Sequence, residues 1–254
     1  MARFDLSDFE WDLIRALLPD KPRGVARVDD RRVLNGIFWV LRTGSPWRDL
    51  PERYGPPTTI YNRFNRWAKA GVWVRVFETL AEKSPDSMLL IDSSIIRAHQ
   101  QAATPKRGAH HALGRSRGGL STKINAMVDG RGLPVAITLS AGQASDKAAV
   151  ADLLAMHPAP GDVVADRGYD ARAVLNLIAA RGGRGHIPTQ RDRKVQRTVD
   201  PALYRERNLV ERFFSKLKQF RKIATRYEKT ATNYLAAVLL VCSRLWTRAY
   251  ESAA

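Results

Sequence analysis

The stretch Met88-Leu89-Leu90-Ile91-Asp92 marks a change of pattern along this chain. A short, continuous apolar run is typical of a strand that is buried on both faces of a sheet. The same pattern, again closed by an acid, returns at Asp162-Val163-Val164-Ala165-Asp166. These two runs predict two buried strands in the second part of the chain, each followed by an aspartate.

The sequence around these runs predicts a mixed sheet flanked by helices. Two more strands are predicted over residues 120–128 and 133–139, joined by the hairpin turn Asp129-Gly130-Arg131-Gly132. The remaining predicted elements are a strand around residues 186–188, helices over residues 146–156, 171–181, 203–220 and 232–250, and basic loops over residues 97–119 and 189–200. This mixture predicts the α+β or α/β fold class.

The first third of the chain predicts a small helical domain. Ser7-Asp8-Phe9-Glu10 is a capping box, in which the Ser7 hydroxyl accepts from the Glu10 amide while the Glu10 carboxylate reaches back. Apolar residues then recur at helical spacing over residues 29–42, 58–71 and 72–82. The segment Ser84-Pro85-Asp86-Ser87 interrupts this pattern. The predicted domains are therefore residues 1–84 and residues 85–254.

The composition restricts the classes of partner. Among 254 residues, 42 Lys and Arg against 25 Asp and Glu give a net charge of +17. Such a charge favours nucleic acid as the partner, with an anionic membrane surface as the second choice. The single cysteine, Cys242, excludes an intramolecular disulfide and a multi-cysteine zinc site. Without a signal peptide or an apolar run of about 20 residues, the sequence predicts a cytoplasmic protein with no membrane partner.

Asp92 and Asp166 are candidate metal ligands. Functional sites in open α/β sheets gather at the carboxyl ends of strands, and two carboxylates that meet there repel each other unless a cation intervenes. Oxygen ligands favour Mg²⁺ or Mn²⁺. Turn formation or helix capping explains either aspartate alone equally well. The pair, together with a third acid and a strongly basic chain, favours the metal site.

The third acid, Glu211, lies in a segment that predicts one long amphipathic helix. At about 100° per residue, Tyr204, Arg207, Glu211 and Lys218 share an arc of about 60°. The opposite face is apolar and comprises Leu209, Val210, Phe213, Leu217 and Phe220. An ordinary solvated face with an Arg207–Glu211 pair is the alternative interpretation.

The spacing of these four polar residues resembles the signature of DDE-type insertion-sequence transposases: Tyr, two residues, Arg, three residues, Glu, six residues, Lys. Four further segments are similar to the insertion-sequence-five family in particular: Ile91-Asp92-Ser93-Ser94, Asp166-Arg167-Gly168-Tyr169-Asp170, Trp47-Arg48-Asp49-Leu50-Pro51 and the stretch Phe-Arg-Lys-Ile-Ala-Thr-Arg-Tyr at residues 220–227. The resemblance covers nearly the whole chain. One departure is Asn125, where the family pattern has His; the three acids are all present.

The resemblance implies an RNase H-like catalytic domain in which Asp92, Asp166 and Glu211 form the acidic triad. It also implies that Tyr204, Arg207 and Lys218 assist with DNA. Two Mg²⁺ or Mn²⁺ ions would serve the chemistry, with Asp92 as the bridging ligand and Asp166 and Glu211 each completing one ion's ligands. Cleavage would free a 3′-hydroxyl at each element end, which would then attack target DNA.

The resemblance implies two DNA partners, the terminal inverted repeats of the element and the target DNA. It also implies a second copy of the chain, in a synaptic homodimer. When it is bound to DNA, the protein is expected on the nucleoid. Two rival functions remain open at this stage. One is an RNase H-like nuclease that does not join DNA ends. The other is a DNA-binding protein without catalysis.

The helix predicted over residues 58–71 is a candidate for recognition of the element ends. It carries Asn62, Arg63, Arg66 and Lys69, and Arg and Asn side chains read base edges in the major groove. Its aromatic residues Tyr61, Phe64 and Trp67 are predicted to be core. The alternative is a helical domain that mediates only protein–protein contacts.

Further predicted DNA contacts lie after the domain boundary. Lys123 is one of them. The basic segment 97–117 is predicted to follow the phosphate backbone; it holds Arg97, Lys106, Arg107, Arg115, Arg117, His99, His110 and His111.

Overall fold

The computed structural model describes residues 4–20, 28–82, 84, 88–103, 111–116, 118–157 and 160–254. The α-helices and strands follow in the order α1 Asp8–Arg15, α2 Asp30–Thr43, α3 Pro57–Lys69, α4 Val72–Ala81, β1 Leu89–Ala98, β2 Gly114–Ser116, β3 Gly119–Asp129, β4 Pro134–Ala141, α5 Val150–Ala155, β5 Asp162–Ala165, α6 Arg172–Ala180, β6 Arg184–His186, α7 Pro201–Arg205, α8 Asn208–Lys218, α9 Arg221–Ala224, β7 Thr225–Arg226 and α10 Ala231–Glu251. Short 3₁₀ helices cover Trp47–Asp49, Glu52–Tyr54, Gln100–Ala103, Asp146–Ala149 and Arg167–Tyr169.

The first of two compact units is helical and draws on both ends of the chain. It comprises the described residues within Met1–Glu82, His99–Ala109 and Leu217–Ala254. The long helix α10 packs against α1, α2, α3 and α4, with Trp73 and Trp246 fully buried in the core. A buried ion pair between Glu10 and Arg244, with Nε 3.1 Å from Oε1, joins α1 to α10. The unit therefore extends beyond residues 1–84, whose role as a separate functional domain stays a prediction.

The ends of the first helices follow from local sequence. The predicted capping box is present, since the Glu10 amide donates to the Ser7 hydroxyl at 3.0 Å and the Ser7 amide donates to the Glu10 carboxylate at 3.0 Å. At the end of α2, Gly44 adopts a φ of 76°, in the left-handed region, and this conformation ends the helix. Glycine adopts it without the steric strain that a Cβ atom causes.

The second unit contains the sheet and comprises the described residues within Lys83–Ala98 and His110–Lys216. Strands β4, β3 and β1 form an antiparallel meander, and β5 and β6 continue the sheet parallel to β1. Helices α5 and α6 pack on the strands. This mixed sheet flanked by helices, with a helical N-terminal region, confirms the predicted RNase H-like architecture.

Three predictions of secondary structure were wrong in detail. β1 continues to Ala98 because β3 pairs with it as far as Arg97↔Ser121, a tertiary effect that the local pattern does not contain. β2 lies within the segment 97–119, where the sequence predicts a loop. The first turn of the helix predicted over residues 146–156 is a 3₁₀ helix.

The long helix predicted over residues 203–220 is divided in two. The amides of Glu206, Arg207 and Leu209 each donate to the carbonyl three residues earlier, at 3.1, 3.1 and 2.8 Å, so the chain tightens between α7 and α8. Tyr204 consequently lies on α7, whereas Glu211 and Lys218 lie on α8. The four signature residues do not share one continuous helical face.

Candidate active site

Two buried strands bring Asp92 and Asp166 next to each other. β1 and β5 are parallel neighbours, and their pairing ends at Ile91↔Ala165, directly before the two aspartates. Neighbouring strands lie about 4.8 Å apart. The residues that lead to the aspartates are almost fully buried: Leu89, Leu90, Ile91, Val163, Val164 and Ala165. Asp92 therefore lies within β1, at the point where pairing with β5 stops, and Asp166 directly follows β5.

The Asp92 carboxylate is held between an amide and a guanidinium. The Ser93 amide donates to its Oδ1 at 2.7 Å, and Arg207 Nη1 lies 3.5 Å from its Oδ2. Only 21% of the side chain is exposed. Burial raises the pKa of Asp92 to about 6, with Asp166 and Asp146 adding to the rise and the Ser93 amide and Arg207 opposing it. Burial, more than repulsion by the neighbouring acids, therefore disfavours the ionised Asp92 carboxylate.

Asp166 is fixed by the turn that it begins. Its carboxylate accepts from the Gly168 amide at 2.7 Å and caps the 3₁₀ helix Arg167–Tyr169. A Cβ on residue 168 would lie 2.8 Å from Asp166 Oδ1, so only glycine lets the amide approach without moving the carboxylate. The turn also buries Tyr169, whose pKa is raised by burial and by the nearby charges of Asp92 and Asp146.

Arg207 joins the third acid to the first. Its guanidinium forms an ion pair with Glu211, one turn further along the chain, and also approaches Asp92. The Glu211 side chain is 54% exposed, whereas Arg207 is largely enclosed. The Arg207–Glu211 pair of the alternative interpretation is present, and the same arginine links Asp92 on β1 to Glu211 on α8.

The remaining signature residues lie at the two ends of this segment. Tyr204 is half-buried on α7 and adds to the electrostatic environment of Arg207. Lys218 is exposed in the last turn of α8. The opposite face of α8 is buried as predicted, including Val210, Phe213 and Leu217. This buried face fixes the rotation of α8 and directs Glu211 outward.

Two predicted DNA contacts are enclosed by protein. Arg63 is only 5% exposed and forms an ion pair with Asp30 on α2, because residue 63 lies on the buried face of α3. Lys123 is also 5% exposed, and its ammonium donates to Asp146 Oδ1 and to the Ala144 carbonyl, both at 2.6 Å. Neither cation faces solvent, so the predicted DNA contacts at Arg63 and Lys123 are corrected to interior ion pairs.

Other cations of α3 are exposed. Asn62, Arg66 and Lys69 share its solvent face, while Phe64 and Trp67 are core as predicted. Tyr61 departs from the prediction, since it is 42% exposed and its ring lies 5.5 Å from that of Trp47.

The basic segment 97–117 is described only in part. Arg97 and Arg115 are exposed, and the His99 ring stacks on Tyr227 with the centroids 4.9 Å apart. Lys106, Arg107, His110 and Arg117 lie outside the described residues.

The donor chemistry of the two aspartates fits a hard divalent cation. Their carboxylate oxygens lie on neighbouring strands, and burial penalises the ionised form of Asp92. Glu211 does not join them here, because its carboxylate pairs with Arg207. Within the described part of the chain, no three His, Cys, Asp or Glu side chains are grouped closely enough to hold a metal ion. A three-carboxylate site would require Glu211 to exchange Arg207 for the metal.

Sequence reasoning missed two polar neighbours of Asp92. The Ser93 hydroxyl donates to Asp146 Oδ1 at 2.6 Å. The same Asp146 oxygen also accepts a hydrogen bond from the Lys123 ammonium. Asp146 is 53 positions from Ser93, so no local pattern joins them. The only signal in the sequence was the position of Ser93 directly after the candidate ligand.

A mixed RNase H-like sheet flanked by helices is the architecture of transposase DDE domains. The sequence matches two transposase family models: residues 6–77 match "Putative transposase of IS4/5 family" and residues 83–246 match "Transposase DDE domain". The chain belongs to the DDE transposase family, whose members generally use divalent metals. The protein is a DNA transposase of a mobile element.

The chain is also similar to individual proteins, and it shares its fold with a solved structure. The chain is 38% identical over 130 residues to "Putative transposase for insertion sequence element IS6501" of Brucella ovis, covering 51% of this chain and all of that protein. It is 37% identical over 117 residues to "Uncharacterized protein y4sN" of Sinorhizobium fredii, covering 45% of this chain and 94% of that protein. A piggyBac transposase synaptic complex with hairpin DNA shares the fold, with a TM-score of 0.50 at 10% identity over 98% of this chain and 74% of that one.

No helix in the described ranges is both long and apolar enough to cross a membrane.

Proposed function

We propose that this transposase cleaves the phosphodiester bonds at the ends of its element and joins the freed 3′ ends to target DNA, with Asp92, Asp166 and Glu211 as its catalytic acids. The observation that carries the proposal is the meeting of Asp92 and Asp166 on neighbouring parallel strands, with Arg207 linking Asp92 to Glu211. Family membership supports the reaction class, and the geometry supports the choice of residues.

In this proposal the carboxylates of Asp92 and Asp166 would hold divalent metal, and Glu211 would complete the ligand set in place of its pair with Arg207. Two bound Mg²⁺ or Mn²⁺ ions would activate the attacking water or 3′-hydroxyl and stabilise the leaving oxygen. The turn at Gly168 holds Asp166 in place, and the Ser93 amide holds Asp92. These fixed carboxylates keep the ligand geometry constant through cleavage and joining.

Arg207 would bind DNA once its ion pair with Glu211 is broken. A guanidinium freed beside the acids pairs with a DNA phosphate through two parallel hydrogen bonds. Lys218 adds an exposed cation two turns further along α8, and Tyr204 lies beside Arg207. These three residues hold the DNA strand next to the scissile bond.

Recognition of the element ends is assigned to the exposed face of α3. Asn62, Arg66 and Lys69 lie on that face at helical spacing, and Arg and Asn side chains discriminate base edges. A homodimer on the nucleoid would pair the two terminal inverted repeats and place both ends against one target.

A joining assay tests this function. Full-length protein is incubated with Mg²⁺, a supercoiled target plasmid and a labelled duplex ending in the inverted repeat from the DNA that flanks the gene. The proposal predicts labelled plasmid. Cleavage without any joined product would instead indicate an RNase H-like nuclease, and binding without cleavage would indicate a DNA-binding protein.

A further inference from the structure

A polar cluster of Ser93, Lys123 and Asp146 lies beside the candidate catalytic aspartate Asp92. We propose that Asp146 is a positioning residue: through Ser93 it sets the orientation of the Asp92 carboxylate for divalent metal. This inference rests on the metal-dependent function proposed above and extends it to residues outside the acidic triad.

Ser93 connects the cluster to Asp92 through two hydrogen bonds that it donates in different directions. Its hydroxyl donates to Asp146 Oδ1 at 2.6 Å, and its backbone amide donates to Asp92 Oδ1 at 2.7 Å. Because both groups belong to one residue, the bond from the hydroxyl to Asp146 restrains the Ser93 backbone, and with it the amide that the Asp92 carboxylate accepts from. Asp146 exerts this restraint from a distant part of the chain.

Lys123 holds Asp146 in place. Its ammonium donates to the same Oδ1 atom at 2.6 Å and to the Ala144 carbonyl at 2.6 Å, and the side chain is almost fully enclosed. An enclosed ammonium is stable only when it is paired and hydrogen-bonded, so Lys123 depends on Asp146, whose own side chain is 36% exposed. This pairing also explains why a lysine that the sequence marks as a DNA contact faces inward.

Strand pairing sets the geometry of the cluster. The β1–β3 register places Ser93 opposite Asn125 and Ile95 opposite Lys123, so Ser93 and Lys123 lie on adjacent cross-strand pairs of one face. Asp146 begins the 3₁₀ helix that follows β4, which is itself paired with β3. The cluster is thus built from the sheet that carries Asp92, and it needs no contribution from the DNA.

The effect of a group that orients a metal ligand can be measured apart from catalysis. Loss of such a group weakens the affinity for metal by about 10–100-fold. The experiment measures Mn²⁺ binding to the full-length protein without DNA, by electron paramagnetic resonance of free Mn²⁺. We expect Ser93→Ala to bind Mn²⁺ about tenfold more weakly, and Ser93→Thr, which keeps the hydroxyl, to restore most of the affinity. Asp146→Asn should weaken binding similarly.

Two matched control variants remove a hydroxyl or a carboxylate outside the cluster. Ser145→Ala removes an exposed hydroxyl beside Asp146, and Asp152→Asn removes an exposed carboxylate from α5. Both should bind Mn²⁺ like the wild type. Thermal unfolding of every variant separates a loss of fold from a loss of metal. Ser93→Ala leaves the Lys123–Asp146 pair intact, so the test does not depend on how well Asp146→Asn folds.

The pattern across the variants decides the role. The double variant Ser93→Ala/Asp146→Asn should bind no more weakly than the weaker single variant, because both changes break one connection. Half-saturating Mg²⁺ for cleavage should rise while the rate at saturating Mg²⁺ is largely kept. Wild-type Mn²⁺ affinity in folded Ser93→Ala and Asp146→Asn would overturn the positioning role alone.

Two other results would also overturn the proposal. Loss of Mn²⁺ binding in Asp146→Asn with normal binding in Ser93→Ala would make Asp146 a direct ligand. A wild-type protein with no Mn²⁺ affinity would contradict the proposed metal site itself, and the positioning role with it.

Discussion

Asp92, the proposed metal ligand, is ionised at an energetic cost. Its pKa of about 6 lies above the ordinary 3.8, so at neutral pH the folded protein holds an ionised carboxylate that burial and nearby acids disfavour. A shift of this size corresponds to a cost on the order of 2–3 kcal/mol. An active site that is destabilised in this way is a known compromise between stability and function.

The expected consequence is that Asp92→Asn makes the metal-free protein more stable at about pH 7.5. A raised carboxyl pKa means that the folded state binds a proton before the unfolded state does. The stability of the wild type should therefore rise as the pH falls through about 6 towards 3.8, and this rise should vanish in Asp92→Asn. Urea denaturation at several pH values, with Asp152→Asn as the control, measures it. A less stable Asp92→Asn protein would refute the account of this residue.

The sequence predicted the types and positions of the three acids, because each follows or faces a strong apolar pattern. It did not predict the environments of the cations. Arg63 and Lys123 read as surface charges, since the acids that pair with them, Asp30 and Asp146, are 33 and 23 positions away. The hydrogen bond between Ser93 and Asp146 could not be predicted for the same reason, because the two residues are 53 positions apart.

Among the elements, helix α3 carries both a buried cation and exposed cations. Arg63 pairs with Asp30 inside the protein and anchors α3 to α2. Breaking a buried pair by removing one partner leaves an uncompensated charge and costs about 3–5 kcal/mol. We therefore expect Arg63→Ala to lower the free energy of unfolding by that order. A chemical denaturation curve that matches the wild type would show that the pair contributes nothing.

Arg66 is exposed on α3, about 60° around the helix axis from the buried Arg63. Arg66→Ala should leave stability within about 0.5 kcal/mol and weaken discrimination between element ends and scrambled DNA by about 1–3 kcal/mol. Fluorescence anisotropy with both DNAs measures the difference. Arg172→Ala, which removes an exposed arginine from α6, is the charge-matched control. An equal loss on both DNAs would make Arg66 a phosphate contact without a role in recognition.

The break between α7 and α8 shows what local patterns omit. No glycine or proline marks residues 206 and 207, and the apolar stripe continues across them. The capped start at Asp200 and Pro201 and the burial of Val210 and Phe213 fix the two helices separately. The sequence therefore predicted which face of α8 is buried but placed Tyr204 on the same helix as Glu211.

For the whole molecule, the dominant feature is the net charge of +17. Binding to DNA releases about 0.9 counterion for each phosphate that a cation neutralises. We expect the affinity for end DNA to fall at least about a hundredfold between about 50 mM and about 200 mM salt. A titration at four salt concentrations gives the slope. An affinity that does not change over this range would contradict a phosphate-dominated interface.

The central claim is that Asp92, Asp166 and Glu211 act together as the acids of a metal-dependent DNA cleavage site. Its most direct test is cleavage of labelled end DNA at saturating protein, with Mg²⁺ and with EDTA, by the wild type, Asp92→Asn, Asp166→Asn and Glu211→Gln. The account predicts cleavage only by the wild type with Mg²⁺, with each variant slower by at least about a hundredfold and still bound to the DNA. Wild-type cleavage rates in any one of the three variants would remove that acid from the site and contradict the claim.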